Sequence, residues 1–466
     1  MLRSRYTNYA LSEIIEKRKP KSPMGQVLFG YVLLILIGTI LLSLPFSLKN
    51  GPITAIDALF TVTSAVCVTG LSVLDLGTVF SSTGLWIIVG LMEIGGLGVM
   101  TFSTAIILIA GMQPGFSQQL VFQDNFSQDG RVSPSKILWA VIPFTLVLQG
   151  IGIAVYFWQF GFLGISDRIL YSVFHAVSAF CNVGFSPWAD SLCRFQFNPV
   201  INIMTCILVI AGGFGFLSVS EIWNAFSFKN KSAVRKFSLH TKIAFVCTFG
   251  LIAFGAVGML LLEWNNASMG SSVWQKIMSS FFMSISSRTA GFNTLNLSSL
   301  SASSIFLVLV FMFIGTNPGS CGGGLKTTTT AVIALLGFNR LLGRQKTQVM
   351  GRTIPEETVD KAVHLFIIGV FIVVLSTALL LITEFHGRPY GAAGSVPFLR
   401  VLFEVVSAYA TCGLSMGITP ELSGAGRVIL CGVMFVGRVG PLFLVSAIAK
   451  KQDSGTRYAE ENIMVG

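Results

Sequence analysis

A short pattern that returns four times along 466 residues constrains this chain more than any other feature, because a repeat must be recognised before any single motif inside it is interpreted. The copies are FTVTSAVCVTGLS (Phe60 to Ser72), FHAVSAFCNVGFS (Phe174 to Ser186), FFMSISSRTAGFN (Phe281 to Asn293) and FEVVSAYATCGLS (Phe403 to Ser415). In each, a phenylalanine stands ten residues before a glycine, Gly70, Gly184, Gly291 or Gly413, which Leu or Phe and then Ser or Asn follow. Three copies carry Ser-Ala; the third has Ile285-Ser286.

Each copy is too short, and too polar at its end, to cross a bilayer, and each lies between two longer apolar runs. The preceding runs are roughly 27–44, 137–160, 243–262 and 362–382; the following ones are roughly 85–111, 200–222, 305–335 and 428–449. With 53% hydrophobic and 11% charged residues, against roughly 25% charged in a soluble domain, the solvent for most of the chain is expected to be lipid. The pattern predicts an all-α polytopic membrane protein: four helix–pore-loop–helix repeats, with eight transmembrane helices, around a pseudo-fourfold central pore. The expected divisions are an N-tail (1–26), repeats at 27–111, 137–222, 243–336 and 362–449, and a C-tail (450–466). No stretch is long enough for a separate enzyme domain, and no cleaved signal peptide is expected.

Net charge of +11 suggests nucleic acid only until the charges are located. They gather in the N-tail (Arg3, Arg5, Lys17, Arg18, Lys19, Lys21), between repeats two and three (Lys229, Lys231, Arg235, Lys236, Lys242), between three and four (Arg340, Arg344, Lys346, Arg352, Lys361) and in the C-tail (Lys450, Lys451, Arg457). The positive-inside rule makes these segments and both termini cytoplasmic, with an even number of crossings between each and the next. The lipid bilayer explains the basicity, and no nucleic acid partner is required. Eight scattered cysteines without CxxC or Cys/His clustering exclude a disulfide framework and a zinc site from the expectation.

Non-helical backbone at membrane depth is tolerated only where protein buries it or it lines a wet cavity. Four such loops imply a central water-filled path. Glycine allows the dihedrals that bring carbonyls to one side, and carbonyls around an axis can replace the hydration shell of an alkali cation. No carboxylate occurs in 68–72, 182–186, 289–293 or 411–415, which argues against a divalent-cation filter and for K+ or Na+. Close-set glycines also mark the second helix of each unit: Gly95, Gly96 and Gly98; Gly212, Gly213 and Gly215; Gly322, Gly323 and Gly324; Gly437 and Gly440. In the first two units tight helix packing is the expected reason.

These residues resemble the Trk/Ktr/HKT superfamily of potassium transporters, most closely the membrane subunit of the Ktr type, over almost the whole chain. The Trk branch has two additional N-terminal helices, whereas the first apolar run here begins near Val27. The resemblance implies that Val68-Thr69-Gly70, Asn182-Val183-Gly184, Thr289-Ala290-Gly291 and Thr411-Cys412-Gly413 are degenerate selectivity-filter strands holding the transported K+. None keeps the full T-V-G-Y-G string. It also implies a homodimer docked on a cytosolic regulatory subunit that binds NAD, ATP or ADP, with Na+ as a possible coupling or activating ion. This chain has no Rossmann fingerprint and is expected to bind no nucleotide itself.

Glycine and proline density should unwind Gly315-Thr316-Asn317-Pro318-Gly319-Ser320-Cys321-Gly322-Gly323-Gly324. The resemblance makes this segment an intramembrane gate. A phosphate-binding loop is excluded because Leu325 separates Gly324 from Lys326 and no strand precedes it. Arg438, in the last apolar run, is a functional candidate by its cost in lipid; the resemblance places it in the pore beside the gate. Lys326 is expected to snorkel toward the interface, Arg288 to brace its pore loop, and Glu93 and Glu404 to serve as hydrogen-bond partners. His175 is read as a satisfied core histidine. The competing reading is an alternating-access secondary transporter for another small solute, although its usual inverted repeats are not expected from units that share one orientation. An intramembrane hydrolase lacks any GxSG setting for Ser320.

Overall fold

The computed structural model describes residues 23–49, 51–98, 134–226, 237–385 and 398–440. Most of the basic N-tail, Lys229, Lys231, Arg235, Lys236, the C-tail and the expected helix segments 99–111 and 441–449 lie outside the described residues. Four units share one plan. Outer helices are α1 (Pro23–Ser43), α4 (Pro134–Gln159), α8 (Leu239–Leu262) and α12 (Glu356–Phe385). Short helices α2 (Ala55–Val66), α5 (Ile165–Phe180), α9 (Val273–Ser286) and α13 (Phe398–Ala410) carry the repeated pattern. Second helices are α3 (Ser82–Leu97), α6 (Pro199–Gly213), continued by α7 (Phe216–Phe226), α10 (Ala302–Phe313), continued by α11 (Thr327–Leu341), and α14 (Gly424–Val439).

Polar side chains fix where the second helices start. Ser81, Asn198, Ser301 and Ser423 each accept an amide from the first turn, of Gly84, Val200 and Ile201, Ser304 and Gly426, satisfying donors that the helix leaves open. Within a unit the short helix packs on its own outer helix. Between units α3 packs on α5, α6 on α9, α10 on α13, and α14 returns to α2. The four units therefore close into a ring around one axis, with their short helices in one common core.

One expectation needs correction. The second helix of the second unit is not continuous: α6 meets α7 at 99° where Gly215 takes φ 90°. Among the described residues, Val141–Gln159 of α4, α8 and α12 are each long and apolar enough to span as single helices, as α6 and α7 are together as a bent pair. The 12 residues of α10 cover about 18 Å at 1.5 Å per residue, short of the roughly 30 Å hydrocarbon layer. The third repeat also departs from the shared frame. Phe60, Phe174 and Phe403 are buried, but Phe281 is 47% exposed and its neighbour Phe282 is buried instead.

Candidate functional site

The short helices all end at the ring axis, immediately before the repeated glycines, so the negative ends of their dipoles converge where a cation would be stabilised. Beyond each helix end the backbone repeats one conformation. Val68, Asn182, Thr289 and Thr411 have φ of 59°, 58°, 62° and 50°, and two residues later Gly70, Gly184, Gly291 and Gly413 have φ of 86°, 84°, 76° and 93°. For a side-chain-bearing residue the left-handed region costs roughly 1–2 kcal/mol, and three of these four are β-branched. Strain concentrated in equivalent places is characteristic of functional backbone. Left-handed residues alternating with others turn successive carbonyls to one side of a strand.

The amides are occupied elsewhere. Those of Thr69, Val183 and Cys412 donate back to the carbonyls of Ser64, Ser178 and Ser407 at 2.7, 2.8 and 2.8 Å, and Ala290 donates to Ser286 at 3.0 Å. Serine hydroxyls add braces: Ser178 and Ser286 donate to the carbonyls of Phe185 and Phe292, and Ser407 accepts from the Gly413 amide at 3.1 Å. With these N–H groups bonded back to their own helix ends, the strands present acceptors.

The four strands interlock. A Cβ at Gly70 would collide with the Val183 carbonyl, at Gly184 with that of Ala290, at Gly291 with that of Cys412, and at Gly413 with that of Thr69. Each glycine thus faces the next unit's strand, and the fourth faces the first. No larger residue fits without opening the ring. On the outer circle, Arg427 of α14 pairs with Asp57 of α2, joining the last unit to the first.

The segment from Gly315 to Gly324 runs beneath this ring. Toward the second unit, the Asn317 and Cys321 amides donate to the Gly213 and Gly212 carbonyls at 3.3 and 3.1 Å, and the Gly319 carbonyl accepts from Phe216 at 2.7 Å. The Asn317 side chain donates to the Phe214 carbonyl (3.2 Å) and the Thr248 hydroxyl (3.0 Å), and accepts from Thr327. Toward the fourth unit, the Gly323 amide donates to the Thr411 hydroxyl at 2.9 Å and the Gly324 amide to the Gly437 carbonyl at 3.2 Å. Gly322 passes so close to the Thr289 and Thr316 hydroxyls that a Cβ would displace them. Thr316 and Ser320 are themselves 2.9 Å apart.

Arg438 joins this segment to the first unit. Its guanidinium donates to the Cys321 carbonyl and to the carbonyls of Gly95 and, at 3.0 Å, Gly96. Those two carbonyls sit at the C-terminal end of α3, which favours a cation. Arg438 lies in the last turn of α14 and not in mid-helix. Lys326 does not reach outward; its ammonium donates to the Gly322 carbonyl.

The remaining candidates occupy structural places. Arg288 is buried and donates to the Thr248 carbonyl at 3.2 Å. Glu404 accepts from Ser415 and Thr419, Glu93 from Gln149 at 2.8 Å, and His175 contacts the Tyr171 carbonyl and Ser186. Helix packing accounts for the first glycine of three bands: Gly95, Gly212 and Gly437 press on the backbones of Val66, Phe180 and Tyr409, each four residues before a ring glycine. Sequence reasoning missed the Asp57–Arg427 pair and the part of Thr411; the polar Thr-x-Gly string was a signal for the latter.

This is the architecture of a multi-pass membrane protein built from four units of outer, short and second helices around one axis. Residues 29–458 match the TrkH family, a cation transport protein family. Ktr system potassium uptake protein B of Bacillus subtilis is 37% identical, over 96% of this chain and 97% of that protein. Potassium/sodium uptake protein NtpJ of Enterococcus hirae is 34% identical, over 96% and 98%. The crystal structure of the potassium transporter TrkH from Vibrio parahaemolyticus superposes with a TM-score of 0.73 at 21% identity, over 93% of this chain and 86% of that one. The chain belongs to the TrkH family, as a membrane subunit of the Trk/Ktr/HKT superfamily.

Proposed function

We propose that this chain takes up K+ across the plasma membrane through the ring of carbonyls around Gly70, Gly184, Gly291 and Gly413, and that residues 315–324 with Arg438 gate the path. The observation that carries the reading is the shared left-handed backbone of the four strands, closed head to tail, with the amides of Thr69, Val183, Ala290 and Cys412 bonded back to their own short helices. Neutral carbonyls bind a dehydrated monovalent ion weakly enough to release it. The strands 68–70, 182–184, 289–291 and 411–413 act as the filter, and the loop beneath, tied to the second and fourth units and through Arg438 to the first, holds the path shut. A guanidinium at the same level opposes cation occupancy until it moves with the loop.

Two relatives bear potassium uptake in their names, and one of them also sodium; Na+ serves here as a coupling or activating ion. By the charge distribution both termini face the cytoplasm. The chain works as a homodimer with a cytosolic subunit that binds NAD, ATP or ADP. An alternating-access transporter for another solute is disfavoured because the units share one orientation and converge on a single axis. Rb+ and Na+ uptake into proteoliposomes under an imposed potential tests the reading. Potential-driven Rb+ entry with discrimination against Na+ is expected; unchanged discrimination in serine variants of all four glycines would sink the filter assignment.

A further inference from the structure

Beyond the pore, α11 leads into a small separate body. Val332, Ile354, Val359 and Ala362 form a hydrophobic cluster of their own, closed by an antiparallel hairpin of β1 (Gln348–Val349) and β2 (Arg352–Thr353). Its outer surface combines two features that water alone would not favour together. Phe338, Leu341, Leu342 and Met350 are 60%, 88%, 53% and 53% exposed. Met350 caps the hairpin turn at φ 49°, where a polar residue or glycine is the ordinary choice. Between these side chains stand Arg340, Arg344, Lys346 and Arg352, exposed and without a carboxylate partner among the described residues.

Depth decides what covers this surface. The 15 residues of α11 extend about 22 Å from the break at residue 326, which the transport reading proposed above puts near mid-membrane. About 15 Å of that is half the hydrocarbon layer, so Phe338 to Leu342 reach the headgroup level. Apolar side chains at that level bury in acyl chains while guanidinium and ammonium groups turn to phosphate. We infer that the end of α11 and the β1–β2 hairpin form a docking surface for anionic phospholipid headgroups of the leaflet they face. Apolar Leu341, Leu342 and Met350 insert, and the four basic side chains neutralise lipid phosphates at the anionic surface. The identity of that leaflet as cytoplasmic rests on the orientation proposed above.

The test uses the purified full chain, delipidated in detergent and titrated with phosphatidylglycerol or phosphatidylcholine while its melting temperature is read. Phosphatidylglycerol is expected to raise it by several degrees and phosphatidylcholine not. R340Q/R344Q/K346Q/R352Q is expected to lose that gain while melting with the parent in phosphatidylcholine. In vesicles, the added fluorescence of Met350→Trp over the parent is expected to be quenched by brominated phosphatidylglycerol. An undiminished phosphatidylglycerol gain in the quadruple variant overturns the inference. So does quenching of the added tryptophan by aqueous acrylamide but not by brominated lipid, which would assign the surface to a soluble partner. Rb+ entry, measured on the same vesicles, reports separately on the transport reading.

Discussion

The amide of Gly323 donates to the hydroxyl of Thr411 at 2.9 Å, so the loop that interrupts the third unit is fastened directly to the glycine strand of the fourth. A change at the loop is therefore felt at the ring without any intermediary, and a change at the ring is felt by the loop.

Thr411→Val keeps the shape of the side chain but leaves the buried Gly323 amide without its acceptor. That costs roughly 1–3 kcal/mol in the loop position described here and nothing where the loop has left. Rb+ uptake is expected to rise severalfold at fixed potential. An uptake equal to the parent would show that this bond is kept in the conducting state.

Gly70→Ala forces a side chain into the left-handed region and onto the Val183 carbonyl. The backbone cost of about 1–2 kcal/mol is the smaller part, because the ring has no space to yield. At least a tenfold loss of Rb+ uptake is expected, with weakened preference over Na+, in protein that still assembles by size-exclusion chromatography.

Arg438→Gln removes a charged donor from the carbonyls of Cys321, Gly95 and Gly96. Hydrogen bonds to charged groups contribute about 1.5–3 kcal/mol, which corresponds to about tenfold or more in the balance between shut and open loop. Uptake is expected to rise by that order under saturating Rb+. A fall in uptake would place the guanidinium's main role in the open path instead.

Asp57→Asn breaks the pair with Arg427, whose side chains are 11% and 19% exposed. The cost is expected at about 2 kcal/mol, between the exposed and buried limits for ion pairs. It should lower the melting temperature while leaving the Rb+/Na+ ratio intact. Adding Arg427→Gln should recover part of the loss, since a half-buried guanidinium is then no longer left without its carboxylate.

The amino-acid sequence by itself determined the features that local chemistry controls. Hydropathy separates outer helices from short ones, Ser and Asn at 81, 198, 301 and 423 start the second helices, and glycine at 70, 184, 291 and 413 licenses the left-handed strand. The break between α10 and α11 was legible for the same reason, since glycine and proline cannot sustain a helix. Tertiary structure alone decided closure. Arg438 meets Gly95 across 343 residues and Arg427 meets Asp57 across 370; neither pairing is encoded by spacing, because it arises only when α14 packs back on α2. The same holds for the third repeat, in which the phenylalanine of the shared position, Phe281, is exposed and Phe282 is in the core. A pattern fixes periodicity along one helix, but which face turns inward depends on the neighbours that surround it. Lys326 and the second unit show the converse: hydropathy counted residues as if each run were straight, while Gly215 turned the chain after α6 and the break after α10 folded Lys326 back onto Gly322.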